Sequence, residues 1–108
     1  MIEITIDRKK LSIRVSGHAG YAEKGKDIIC AGVSALVQTW AKCVMMFQDK
    51  GFLDMSEVSV EDGKADISAE PKTAYRYPVE ISFCTIVQGL MLLWSGGKEY
   101  IFLRMLSD

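Results

Sequence analysis

Seventeen consecutive residues, Ile81 to Gly97, carry no charge. A run of that length must hide from water on more than one side, which leaves a chain of 108 residues few arrangements. Membrane spans need about 20 apolar residues. This run reaches only the lower edge of that range and is interrupted by Ser82, Thr85, Gln88 and Ser95 before Gly96-Gly97 ends it. A second segment of nearly equal apolarity, from Asp27 to about Phe47, reads as another long helix ending before Gly51. Two helices that are apolar on several faces are expected to pack together on a sheet. The surface left over is expected to be shared with a second copy of the chain in a homodimer.

The other segments supply that sheet. Ile2, Ile4 and Ile6 alternate with polar neighbours, as do Leu11, Ile13 and Val15, with Asp7 to Lys10 between them as a turn. Val58 and Val60 alternate again, Glu61-Asp62-Gly63-Lys64 supplies a hairpin turn, and Ala65, Ile67 and Ala69 continue the pattern. Pro71 and Pro78 bracket the way into the second helix, predicted from Val79 to Trp94, and Tyr100 to Met105 can form a short last strand. The expectation is one α+β domain over residues 1–108: two helices packed on one face of a mostly antiparallel sheet, in the order ββαββα with that short final strand.

Net charge is −1, so overall basicity gives no reason to expect nucleic-acid binding. The distribution is uneven, with six basic and three acidic residues in 1–26 but two basic and seven acidic in 49–70. A solvated acidic hairpin accounts for the second segment. The N-terminus has no apolar leader block, and Cys30, Cys43 and Cys84 form no CxxC pair. Both features fit a cytoplasmic protein with reduced thiols. One histidine and three scattered cysteines do not match zinc-ligand spacing, and no phosphate-binding glycine loop is present. No metal, cofactor, membrane or direct nucleic-acid contact is expected.

The chemistry concentrates between Gly17 and Leu36, GHAGYAEKGKDIICAGVSAL. His18, the only histidine, follows a strand and opens a loop holding Gly20 and Gly25. Asp27 is a good helix N-cap, which puts Cys30 in the first turn, where the dipole and unpaired N–H groups favour a thiolate. Ser34 is one turn further on the same side as Cys30 and either hydrogen-bonds locally or lines the site. Cys43 points away from that face, and Cys84 sits mid-helix in an apolar run, so both read as small buried hydrophobes. Trp40, Trp94, Phe47 and Met45-Met46 read as core or dimer contacts. If a Cys–His pair exists, it is Cys30 with His18. Without such chemistry, the same segment suits a non-catalytic binding protein or a thiol redox sensor.

Gly17-His18-Ala19 after a strand, a glycine-containing loop, then Asp27-Ile28-Ile29-Cys30-Ala31 with Ser34 and Ala35 resembles the signature of the ribosomal-processing cysteine protease family, Prp. Length, element order and the Tyr100-Ile101 tail extend the resemblance along the chain. It implies a homodimeric cytoplasmic cysteine endopeptidase that removes the N-terminal extension of a large-subunit ribosomal protein, number twenty-seven. It also implies that Cys30 is the nucleophile and His18 the general base and acid, with Ser34 the serine of the motif. The substrate loop falls on Ala19, Gly20, Tyr21, Ala22, Glu23, Lys24, Gly25 and Lys26. One departure is visible: Trp94-Ser95-Gly96-Gly97 cuts the second helix short, where relatives continue with charged residues. A non-catalytic ribosome-associated binding protein remains the alternative from another class.

Overall fold

The computed structural model describes residues 1–17 and 26–106, with backbone only for Lys26 and Asp27. The elements run β1 (Ile2–Asp7), β2 (Ser12–Ser16), α1 (Lys26–Asp49), β3 (Leu53–Glu61), β4 (Lys64–Pro71), a 3-10 turn (Thr73–Tyr75), α2 (Arg76–Gly96) and β5 (Ile101–Leu106). The sheet order is β3-β4-β2-β1-β5. All neighbours pair antiparallel except β1 and β5, which are parallel. The fold is the expected α+β arrangement of two helices on a five-stranded mixed sheet, and the last strand is a full partner of β1.

Period-two alternation decides which face the helices cover. Ile4 faces Val15 and Ile6 faces Ile13 across β1 and β2, while Ile13 and Val15 face Ile67 and Ala65 of β4. Ile4, Ile6, Ile13 and Ile67 are at most 1% exposed, so this face carries the core. The opposite face is polar, with Arg14 set against Asp66 at 3.5 Å. That pairing takes one of the carboxylates of the acidic 49–70 segment.

The helices run antiparallel and close because each offers the other a glycine. A Cβ placed on Gly32 would lie 2.9 Å from Leu93 Cδ1, and one on Gly89 would lie 2.9 Å from Leu36 Cδ1. Each leucine therefore seats over the other helix's glycine. Beyond them Trp40 meets Phe83 edge-on at 5.3 Å, and both rings are buried. α1 stops at a glycine for a geometric reason. Gly51 has φ +75°, its N–H donates to Gln48 O, and the Phe52 N–H donates to Phe47 O. Those two bonds, with Phe52 stacked on Phe47, form a Schellman cap.

Several sequence expectations shift. Leu11 is not a strand residue: it occupies the turn at φ +47° while its side chain stays buried. Asp7 Oδ1 accepts the Lys9 and Lys10 N–H groups, and that local bonding draws the chain out of the strand. α2 begins at Arg76, so Pro78 sits in its first turn, where no N–H is required. Cys84 is exposed, not buried. The buried stripe of α2 is Val79, Phe83, Ile86, Val87 and Leu90, and Cys84 is rotated about 100° from Phe83. Met45 and Met46 are exposed, as are Ile28, Tyr77, Ile81 and Leu92 on the outward sides of the helices. Both helices are long and apolar enough to cross a membrane by length and composition; here each lays one face on the sheet.

Candidate active site

α1 does not lie evenly on the sheet. At its C-terminal end it touches β3, where the Ser56 hydroxyl donates to Gln48 Oε1 at 2.9 Å. Toward its N-terminus a cleft of about 380 Å³ is lined by α1 and the ends of β2, β3 and β4. Cys30, Ser34 and Gln38 line one wall, at i, i+4 and i+8 along a single helix face. Val33 and Val37 from α1, with Val15, Val60 and Ala65 from the sheet, supply an apolar floor. Val60 pairs with Ala65 and therefore points to the helix side, yet it is 47% exposed at the mouth of the cleft.

The rim is held by glycines. Gly17 has φ +103°, and a Cβ there would collide with the Met1 carbonyl oxygen, so no other residue fits without moving backbone. Its N–H donates to Gly63 O at 3.0 Å, which ties the end of β2 to the β3–β4 turn. That turn needs only one left-handed residue, Gly63 at φ +74°. Gly17, Asp62 and Gly63 thus form a fixed lip beside the wall that carries Cys30.

Of the residues singled out from sequence, the structure brings Cys30 and Ser34 together in this cleft. Cys30 is half-buried and packs against the edge of the core. The described part of α1 starts at Lys26, so the Asp27 backbone lies within the helix instead of at its cap, and Cys30 follows within its next few residues. An aspartate in the first turn complements the helix dipole as a capping one does, and sequence does not separate the two positions. The Asp27 side chain, His18 and the loop residues Ala19 to Gly25 lie outside the described residues. Cys43 is half-buried, away from the cleft, and burial pushes its thiol up from its ordinary value. Among the described residues no group of three His, Cys, Asp or Glu side chains is placed to hold a metal ion. Gln38 was missed from sequence; the i+8 spacing from Cys30 was the signal that could have found it.

A cysteine near the start of a helix, opening on an apolar-floored groove beside a glycine-fixed lip, is the arrangement of a thiol-nucleophile site. The cysteine protease Prp family model matches residues 1–101, and the chain belongs to that family. It is 39% identical over 67 residues to the ribosomal processing cysteine protease Prp of Bacillus subtilis, covering 58% of this chain and 57% of that one. A match to the protein of the same name from Mycoplasma pneumoniae is 49% identical over 37 residues, 34% of this chain and 35% of that one. The matched stretches thus span little more than half of the first relative and about a third of the second. The fold agrees over nearly the whole chain. The essential ribosomal processing protease Prp of S. aureus, in complex with a covalently linked product peptide, superposes with a TM-score of 0.73 at 22% identity, covering 98% of this chain and 100% of that one. The same protease with a substrate peptide gives 0.74 at 21% identity and the same coverages. A Streptococcus mutans structure gives 0.69 at 22% identity over 99% of this chain and 93% of that one.

Proposed function

We propose that this protein is a cysteine endopeptidase that removes the N-terminal extension of a large-subunit ribosomal protein, number twenty-seven. The observation that carries the reading is Cys30 on the wall of an apolar-floored cleft in a member of the cysteine protease Prp family. Cys30 attacks the scissile carbonyl as a thiolate, His18 having taken its proton. Backbone N–H groups at the start of α1 hold the developing oxyanion. His18 then gives the proton to the leaving amine, and water hydrolyses the acyl-enzyme. The loop from Ala19 to Lys26 closes over the bound peptide, with Gly20 and Gly25 as hinges.

A homodimer in the cytoplasm completes the proposal. Ile28, Tyr77, Ile81 and Leu92 are between 48% and 75% exposed, an apolar surface that a second copy would cover. Sedimentation of the wild type against Ile81→Asp with Leu92→Asp tests that part, and a monomer in both samples would refute it.

Mass spectrometry of a peptide spanning the ribosomal extension tests the reaction. The wild type should make one cut, while Cys30→Ala and His18→Ala should make none. Cleavage by Cys30→Ala at the wild-type rate would overturn the mechanism.

A further inference from the structure

An open β-sheet has two edges, and edge strands are ordinarily blunted by lysine, proline, a bulge or a covering element. Among the described residues β3 is one edge of this sheet, with β4 its only neighbour. From Leu53 to Glu61 it holds no lysine, arginine or proline, and its register shift lies at the far end, between Leu53 and Met55. Residues 54–61 are all exposed. Between Glu57 and Glu61 the pairing with β4 is regular, so every second residue turns its N–H and C=O toward the open edge.

The same strand runs out of the Cys30 cleft. Val60 and Glu61 line the cleft, and Val58 stands on the same side of the sheet as Val60. The two valines are 39% and 47% exposed. Asp54, Glu57 and Glu61 are the charges of β3, all acidic, and among the described residues none of them takes part in an ion pair. A second copy joining edge to edge would set these carboxylates against their own kind. An extended peptide carrying lysine or arginine complements them.

We propose that the substrate of this cleft docks on the edge of β3 as an added strand, an extended peptide that alternates apolar and basic residues. Its main chain bonds the outward groups between Glu57 and Glu61. Its apolar side chains lie beside Val58 and Val60 and its basic ones beside Glu57 and Glu61, because successive residues of a strand face opposite sides of the sheet. This rests on the peptidase reading of the Cys30 cleft.

The test uses the Cys30→Ala protein, which binds without turnover, and a blocked pentapeptide alternating valine and lysine. With the peptide at ten times its Kd, amide hydrogen exchange followed by NMR should slow about tenfold at every second residue between Glu57 and Glu61. The same peptide with glutamate for lysine should bind about tenfold more weakly, and Glu57→Lys with Glu61→Lys should reverse that preference. Binding without alternate protection on β3 would overturn the docking strand, as would equal affinity for the two peptides or no binding of either. Outward amides already protected before peptide is added, in a protein that sediments as a dimer, would assign the edge to a second copy and overturn it too. Failure of the peptidase reading looks different: the wild type would leave the ribosomal extension uncut while the β3 amides still responded to the peptide.

Discussion

The two halves of α1 rest on the same sheet and do opposite things with it. In the C-terminal half, Trp40, Val44 and Phe47 are at most 5% exposed, Trp40 meets Phe83, and Gln48 reaches Ser56 of β3. In the N-terminal half, Cys30, Ser34 and Gln38 face a cleft, and Val60 stands uncovered opposite them. One end is filled with large rings and the other with small or polar side chains at the same helical spacing. The large buried rings are thus gathered in one half, and the other keeps an opening beside Cys30. That division makes a double dissociation the natural test.

The largest expected effect belongs to the open half. Cys30→Ala should cost on the order of a thousandfold or more in peptide cleavage, as removal of a nucleophile does. Its denaturant midpoint should stay near the wild type, because Cys30 is only half-buried. Trp40→Ala should do the reverse, costing about 3–5 kcal/mol of stability while each folded molecule keeps its cleavage rate. Chemical denaturation paired with activity per folded protein checks both. If Cys30→Ala unfolded as readily as Trp40→Ala, the two halves would not be separable. Trp40 also carries an indole N–H with no acceptor among the described residues. Trp40→Phe should therefore cost clearly less than Trp40→Ala, since it removes that unpaired donor as well as part of the ring.

Two glycines sharpen the contrast at intermediate size. Gly17→Ala places a Cβ against the Met1 carbonyl in a backbone region that L side chains avoid, and should cost about 2 kcal/mol or more. Because Gly17 forms the cleft lip and directly precedes His18, cleavage per folded molecule should fall too. Gly51→Ala meets no atom within 4 Å, so only the left-handed φ opposes it, and about 1 kcal/mol should be lost. Its cleavage rate per folded molecule should not move. Equal activity losses in the two variants would show that the lip does not bear on the site.

How much of this the sequence carried follows the same divide. Strand alternation at Ile2, Ile4 and Ile6 and the helix stop at Gly51 were legible because a local rule dictates each, namely period two and a left-handed cap. Cys30 and Ser34 were legible as a pair because i and i+4 share a face on any helix. What sequence could not supply was which face of an all-round apolar helix turns inward. Cys84 went wrong for that reason: one residue from buried Phe83, it faces out. The exposure of Val60 was equally hidden, since it depends on where the helices lie over the edge strand β3, a tertiary fact. Leu11 shows local bonding overriding alternation, with Asp7 turning the chain where the pattern asked for a strand.

The smallest effect sets two thiols of one helix against each other. Cys30 faces the cleft, whereas Cys43 packs against the core and burial pushes its pKa up. Alkylation at neutral pH should therefore modify Cys30 well before Cys43, and lowering the denaturant concentration should not narrow the gap. The raised value also has a thermodynamic sign. Below the ordinary thiol range Cys43 is protonated in both folded and unfolded chains, and its contribution is fully present. As pH rises through the ordinary value toward the folded one, the unfolded chain releases its proton first and stability declines. Cys43→Ala should flatten that alkaline decline while leaving cleavage untouched. Denaturant midpoints of the two proteins measured from neutral to alkaline pH decide it, and identical slopes would mean that Cys43 is no more sheltered than a thiol in the open half.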